Sequence, residues 1–393
     1  MHEVNYLTKP IFEMHEFPEH LAALGHDVGF VQFPEGESDS TVAAIPFRQL
    51  VRGRVLQEQR LTLYTPKTAS GGLLGRLIAV FSFKAQFIRV LNDFEPDVVV
   101  SFSVPTSGWQ AVQACKKLGV PLLFRALDVS HKIRRSFFSP LVGLAEKFIY
   151  KNADWVSANN PAMLAYVRAN GAKFERSKVN FPPLDLIHFD RAREAKTEMR
   201  TELGIPQTAN VVLYMGSFFY FSGLPEVLRS FAESSEVTDR LVLIGGGEQD
   251  DSLRTLAADL DTQNRVIFTG IISYADLPRY LSVADVAINP LVPSLVASTA
   301  LPNKVLQYMA AGLTVITTRL KGLEMCFGND LSGLIFVDNS EDLILTALKT
   351  ARRSSGAAKR NIENTRIVAE LFDKRSTVKS FEQTLKILAG AKP

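Results

Sequence analysis

Residues 289–312, NPLVPSLVASTALPNKVLQYMAAG, decide how this chain is read. A strand at 285–288 runs into a loop with three prolines that ends at Pro302-Asn303-Lys304. From there VLQYMAAG reads as a short helix closed at Gly312, where a residue with φ > 0 ends it, and 313–318 is the next strand. No charged side chain lies between Asp285 and Lys304, so the run packs against protein or a ligand. Strand, uncharged loop and helix start together form an anion site, because helix-start N–H groups are free and the macrodipole is positive there. The competing reading is a buried crossover that holds no ligand.

On either side of this run, β-branched segments alternate with helical patterns, which predicts βα units and parallel sheets. Strands are expected at 211–216, 241–244, 266–269, 285–289, 314–318 and 334–337, with helices at 224–234, 250–260, 276–283, 303–311 and 341–352. The first half predicts strands at 3–7, 28–33, 97–102, 120–125, 154–158 and 178–181, and helices at 18–24, 72–92, 106–118, 139–152 and 161–170. Residues 54–64 read as one further strand. The fold class is therefore α/β with two Rossmann-like domains, 1–185 and 205–360, joined by a linker at 186–204. A helix over 361–393 is expected to pack back on the first domain. A cleft between two such domains is a preferred ligand site.

A chain of 393 residues is long enough for more than one domain. Charged residues make up 22% and hydrophobic ones 46%, as in ordinary α/β proteins. The formal net charge of +3 excludes nucleic acid as the main partner. Cys115 and Cys326 lie far apart, fit no metal spacing, and read as thiols in a reducing compartment. The N-terminus lacks the basic region and apolar core of a signal peptide. No window of about 18 residues suits a bilayer span. The expected location is the cytoplasm, including a peripheral position on the inner face of the cell membrane. The tract MHEFPEH invites a zinc reading, but His15 and His20 are five residues apart and fall on different helix faces. Pro18 is also expected only where a helix begins. No metal site is expected.

Three strand ends in the second half carry small or turn-forming residues: Met215-Gly216, Ile244 to Gly247, and Ile288 to Pro290. Each alone is explained by backbone angles. Together they mark the carboxyl edge of an open sheet, where ligands bind.

The order and wording of these segments resemble the C-terminal domain of family 4 glycosyltransferases, which have the GT-B fold, two Rossmann-like domains facing each other across a cleft. The matching stretches are VVLYMGSFFYFSGLPEVLRSFA, LVLIGGGEQDDSLRTLAADL, RVIFTGIISYADLPRYLSVADVAINP, PNKVLQYMAAGLTVITT and SGLIFVDNSEDL, spread over residues 205–345. In the first half, EHLAALGHDVGFVQF and KVNFPPLDLIHF are similar to the family's first helix with second strand and its entry to the linker. The resemblance implies retaining, metal-independent transfer of a sugar from a UDP- or GDP-linked donor held on the second domain, with no cofactor. The acceptor would sit on the first domain.

It also implies which residues hold the donor. The family's phosphate-binding arginine and lysine match Ser217 and Ser222, beside Gly216 and Gly223. Its two glutamates, for the sugar and the ribose, match Thr299 and Gln307, near Asn303. All four charged positions are thus neutral here, with Lys304 as the replacement cation. The backbone at Gly270, Ile271 and Ile272 would lie beside the base. A hydrogen bond to a charged group contributes roughly 1.5–3 kcal/mol against about 1 for a neutral one, so the departure bears on affinity. After the strand ending at Arg125, Asp128 and His131 are the candidates for contact with the transferring sugar. The family's donor phosphate is thought to accept the acceptor's proton.

Lys132, Arg134, Arg135, Phe137 and Phe138 interleave basic and aromatic side chains, continued by Lys147, Phe148, Tyr150 and Lys151. This pattern fits an anionic membrane surface and a lipid-linked or glycan acceptor. An amphipathic helix with a solvated basic face is the plainer reading. The alternative to an enzyme is a degenerate GT-B partner that scaffolds or regulates an active glycosyltransferase.

Overall fold

The computed structural model describes residues 5–8, 11–32, 46–66, 72–102, 107–133, 139–190, 195–292, 294–354 and 361–390. The chain forms two compact units, Met1–Pro183 with Lys374–Pro393, and Leu184–Asp373. Each is a Rossmann-like α/β unit, the fold class read from the alternating sequence.

In the first unit, helix α1 (Glu13–Ala23) leads to strand β1 (Gly29–Val31). Strands β2 (Arg48–Arg52) and β3 (Arg60–Tyr64) follow, then α2 (Gly72–Phe94), β4 (Val99–Ser101) and α3 (Gly108–Leu118). Next come β5 (Leu122–Ala126), the short α4 (Ser130–Ile133), α5 (Ser139–Asn152), β6 (Trp155–Ala158), α6 (Pro161–Ala169) and β7 (Ser177–Val179). Strands β4 to β7 pair in chain order and all in parallel. A second sheet runs β1-β3-β2, with β2 antiparallel to β3.

Several first-half expectations shift. Within 3–7, residues 6–8 form a turn, and the positions before 5 lie outside the described residues. The segment 54–64 is the end of a hairpin in place of one strand, since Gly53 N–H donates to Gln59 O across the loop. Helix α1 starts five residues before the expected 18, and Pro18 sits inside it. The helix accommodates the proline because packing of Phe17 and Leu21 in the core offsets the lost bond. His15 is buried, accepts the Phe12 amide at Nδ1 and bonds Tyr6 O through Nε2 at 2.9 Å.

The second unit begins at Leu184, two residues before the expected linker. Helices α7 (Leu186–Asp190) and α8 (Lys196–Glu202) belong to it, and Arg200 bonds Val283 O and Asp285 there. The boundary therefore lies at 183/184 instead of 185/205. Six strands follow: β8 (Asn210–Met215), β9 (Asp239–Ile244), β10 (Val266–Gly270), β11 (Val286–Asn289), β12 (Thr314–Thr318) and β13 (Leu334–Val337). Between them lie α9 (Leu224–Ser234), α10 (Asp250–Asp259), α11 (Leu277–Leu281), α12 (Leu295–Thr299), α13 (Asn303–Ala310) and α14 (Lys321–Phe327). Helix α15 (Ser340–Ser354) comes after β13.

These strands make one parallel sheet in the order β10-β9-β8-β11-β12-β13. Every residue of β8 and β11 is buried, which is why both read as near-continuous apolar runs. Leu228 and Phe231 of α9 and Leu343 and Ala347 of α15 close one face over Val212, Leu243 and Ile288. Strand order reverses between β8 and β11, which places a crevice at their carboxyl ends.

The C-terminal segment is two helices instead of one. Asp373 takes an extended conformation and ends α16 (Ile362–Phe372), which stays with the second unit. Only α17 (Lys374–Leu388) joins the first unit, where Phe381 packs on Phe17 at 4.3 Å.

Arg125 is fully buried and holds Glu13 through two bonds of 2.8 Å. It also donates to Ser157 Oγ and to the carbonyls of Ala158 and Asn180. Glu13→Ala would strand that guanidinium without a counter-charge, so stability should drop by about 3–5 kcal/mol in urea unfolding.

Candidate active site

Strand β8 ends at Met215, and Gly216 turns away at φ 140 beneath the first turn of α13. A β-carbon on Gly216 would stand 2.8 Å from Lys304 Nζ, so only glycine lets this lysine lie on the strand end. Lys304 Nζ donates to Tyr214 Oη at 2.9 Å and sits 4.1 Å from the centroid of that ring. Burial pulls its pKa down to about 7. The Tyr214 hydroxyl in turn donates to Ser217 O at 3.0 Å. Backbone bonds tie the neighbouring loops into one floor: Gly216 N to Ile244 O, Phe218 N to Gly246 O, and Gly245 N to Gly270 O. The crevice at the strand reversal thus holds an ammonium with one hydroxyl partner among the described residues.

The other donor-site candidates divide. Ser217 is exposed beside this floor. Gln307 is half-buried one turn along α13 from Lys304, and Asn303 is exposed at the helix start. Ile271 is 81% exposed, with Gly270 and half-buried Ile272 on either side. Gly223 has φ +72, and its α-carbon is pressed against Pro290 O where a β-carbon would clash. Ser222, next to it, is only 1% exposed, and its Oγ meets no partner among the described residues. Thr299 is buried, and its hydroxyl donates back to Leu295 O within α12. As placed, Ser222 and Thr299 point into protein, because the turn at Gly223 and the short α12 fold over them.

The sequence reading passed over the run Phe219-Tyr220-Phe221. Phe219 and Phe221 stack at 5.4 Å, and Val292 N bonds Phe221 O, so this partly exposed aromatic loop borders the same edge. With Phe218 before them they make four consecutive aromatics, a signal that was there to be read.

In the first unit, β5 ends at Ala126 and the turn 128–131 carries both candidates. Asp128 is half-buried, and burial followed by the Glu13 charge lifts its carboxyl to about 6. His131 Nδ1 lies 2.5 Å from Glu146 Oε2. The other carboxylate oxygen accepts Ser130 N–H at 2.7 Å, and Gly143 lies against the imidazole. Nδ1 is thereby committed and Nε2 is left as the reactive nitrogen. Glu146 was missed because it lies fifteen positions along the chain and reads as a surface acid on α5. Lys132 is exposed, whereas Arg134, Arg135, Phe137 and Phe138 lie outside the described residues. No metal-binding group of three or more acidic, histidine or cysteine side chains occurs among the described residues. A cavity of about 680 Å³ in the same unit has mainly apolar walls, including Phe17, Phe87 and Phe381, and none of the candidates lines it.

Two family models match the chain: glycosyl transferase 4-like domain over residues 14–182, and glycosyl transferases group 1 over residues 195–368. The lipopolysaccharide core biosynthesis glycosyltransferase LpsD of Rhizobium meliloti is 27% identical over 290 residues, or 73% of this chain and 74% of LpsD. Alpha-monoglucosyldiacylglycerol synthase of Streptococcus pneumoniae is 30% identical over 116 residues, or 29% of this chain and 24% of the synthase. Among solved structures, Anabaena HepE in complex with UDP-glucose has a TM-score of 0.74 at 16% identity, covering 98% of both chains. WaaG, involved in lipopolysaccharide biosynthesis, has a TM-score of 0.66 at 18% identity, covering 96% of this chain and 95% of its own. At those identities the two structures speak to fold alone.

Gly216→Ala should force a side chain into a disfavoured backbone region and displace Lys304, at a cost of about 1–3 kcal/mol. Calorimetry should show inorganic pyrophosphate bound at least about tenfold more weakly, the equivalent of ~1.4 kcal/mol.

Proposed function

This chain belongs to the family 4-like glycosyltransferases of the GT-B type, and we propose that it moves a sugar from a UDP-linked donor to a lipid-linked glycan acceptor. The observation that carries the reading is Lys304, held on Gly216 at the strand reversal, where a diphosphate would meet it. HepE was solved with UDP and with UDP-glucose, which makes UDP-glucose the donor to test first. LpsD and WaaG are named for lipopolysaccharide synthesis, which favours a lipid-linked acceptor.

In this reading the second unit binds the donor. Lys304, Ser217 and the backbone of Gly216 and Gly223 hold the diphosphate, Gln307 and Asn303 the ribose and sugar, and Gly270 to Ile272 flank the base. The anomeric carbon exchanges its bond to the phosphate oxygen for one to the acceptor oxygen on the same face. The acceptor's proton goes to the departing phosphate, so no metal and no protein base is needed. The Lys304 ammonium offsets the charge that develops on the leaving diphosphate. In the first unit, His131 Nε2 and Asp128 hydrogen-bond hydroxyls of the transferring sugar or acceptor. No helix among the described residues is long and apolar enough to cross a membrane. We assign the protein to the cytoplasmic side, with basic residues such as Lys132 against anionic lipid.

The inward-turned hydroxyls of Ser222 and Thr299 favour a second reading, a GT-B partner that scaffolds an active glycosyltransferase. Incubation with UDP- and GDP-sugars and a prenyl-linked acceptor separates the two. Glycosylated lipid supports transfer. No product, together with no thermal stabilisation by any nucleotide sugar, overturns it in favour of the scaffold.

Donor binding should depend on pH through Lys304. With a pKa near 7 in the free protein, the amine is neutral above that value, and an incoming anion must recruit a proton. Affinity for UDP-glucose should therefore be flat below about pH 7 and fall by up to about tenfold per unit above it. Lys304→Met should bind roughly tenfold or more weakly and lose the slope, as calorimetry at pH 6–9 would read.

Glu146→Gln keeps only one acceptor oxygen for three donors, Ser130 N–H, the His131 ring and the Tyr166 hydroxyl. Turnover should drop by about tenfold or more if His131 acts as assigned, while the KM for UDP-glucose, held on the other unit, stays within about twofold.

A further inference from the structure

The carboxyl edge of the second unit's sheet carries an aromatic tip that the donor assignment leaves unused. Phe218 is buried, with its ring 6.1 Å from that of Tyr214 and 6.5 Å from that of Phe268, and it anchors the loop after β8. The three residues after it turn outward: Phe219 is 41% and Tyr220 58% exposed, and Phe221 is half-buried. Bonds hold this tip on both sides. Phe218 N–H donates to Gly246 O at 3.0 Å and Tyr220 N–H to Glu248 Oε1 at 3.1 Å, both just after β9. Phe221 O accepts Val292 N–H at 3.1 Å, just after β11, and Ser222 N–H closes the turn on Phe219 O at 2.9 Å. A fastened loop therefore presents these rings, Phe219 stacked on Phe221 at 5.4 Å and Tyr220 edge-on to Phe221 at 5.2 Å.

The segment after β11 adds two exposed apolar side chains, Val292 at 41% and Leu295 at 47%. It is fixed as well, since Thr318 Oγ1 donates to Leu291 O at 2.6 Å and Gly223 packs against Pro290 O. Three hydroxyls of this edge are already engaged or hidden: Thr299 donates to Leu295 O, Ser294 accepts Ala297 N–H, and Ser222 is turned inward. No side chain from Gly216 to Gly223, or between Asp285 and Lys304, is charged. The order of strands gives the direction of a donor across the edge. With the base at the end of β10 and the diphosphate at the ends of β8 and β11, the sugar comes next on the β11 side, where Phe221 meets Val292 and Leu295 follows. Aromatic rings and alkyl groups suit the C–H face of a pyranose. A sugar hydroxyl set against them would lose its water without gaining a partner, whereas a methyl group would gain the contact.

We propose that this tip and lip form the donor's sugar subsite and select a 6-deoxyhexose. Its C6 methyl, the group that projects furthest from the ring, rests on Val292 and Leu295, while Phe219 and Phe221 cover the C–H face. The inference rests on the donor assignment of the proposed function and names the class of sugar that the same site takes.

Calorimetry of the full chain with UDP, UDP-glucose and UDP-6-deoxyglucose tests it, and GDP, GDP-mannose and GDP-6-deoxymannose run alongside cover the other base. Whichever nucleotide binds, its 6-deoxy sugar should bind at least about tenfold more tightly than the hydroxylated one. Val292→Thr with Leu295→Asn should bring that ratio to within about twofold and leave the affinity for the bare nucleotide unchanged. Phe219→Ala should weaken both nucleotide sugars by about tenfold and the bare nucleotide by less than about twofold. All three side chains are exposed, so the variants should melt with the wild type, which separates a lost preference from a lost fold. Three results overturn the proposal and leave the donor assignment standing: a wild type that binds the hydroxylated sugar as tightly as the 6-deoxy one, a double variant that keeps the wild-type ratio, or a Phe219→Ala variant that weakens the bare nucleotide as much as its sugars. If neither nucleotide binds, the donor assignment falls and the sugar subsite falls with it.

Discussion

A lysine ammonium held against a tyrosine ring on a bare glycine is the contact on which the second unit's chemistry depends. Lys304 reaches that place because α13 begins directly after the uncharged loop, and because Gly216 offers no side chain to block it. An isolated charge in such surroundings is unfavourable unless it loses its proton or gains a partner. A single bond to Tyr214 Oη does little to compensate, which is why the group titrates near neutrality. A site with these properties is electrostatically incomplete when empty, and an anion completes it.

The first unit resolves the same problem differently. Arg125 is buried more deeply than Lys304, yet Glu13 and three oxygen acceptors saturate it, so it is structural. The adjoining loop then presents groups that remain available: Asp128, lifted towards neutrality, and the Nε2 of His131. Saturated charges below and unsaturated ones above, at the carboxyl ends of the strands, distinguish scaffold from site in each unit.

What could be read in the sequence follows from how locally each feature is determined. The six strands of the second unit's sheet were legible because burial turns them into apolar runs such as Leu241–Ile244, followed by glycine. The link between Lys304 and Gly216 was legible only as a guess that a helix start would face a strand end. The inward turn of Ser222 was hidden, since it depends on how Gly223 packs on Pro290, far along the chain. The break at Asp373 was hidden too, because residues on both sides favour a helix and the extended residue is selected by pairing of Leu184 with Phe372 O. Exposure of Leu141 and Leu144 could not be foreseen either. Their spacing fits an inward stripe equally well, and only the placement of Ile149 and Glu146 decides which face looks out.

The neutral residues around Lys304 are consistent with one cause. Gln307 lies three positions along the same helix, on the same face. A carboxylate there would pair with the lysine, raise its pKa and occupy the charge that a diphosphate needs. A glutamine leaves the ammonium unclaimed while still offering a carbonyl and an amide to ribose hydroxyls. With no acid beside it, one lysine can serve where two cations facing two carboxylates would otherwise stand. Loss of the carboxylates thus compensates for loss of the cations, and the coordinated substitution follows from charge balance within a buried crevice.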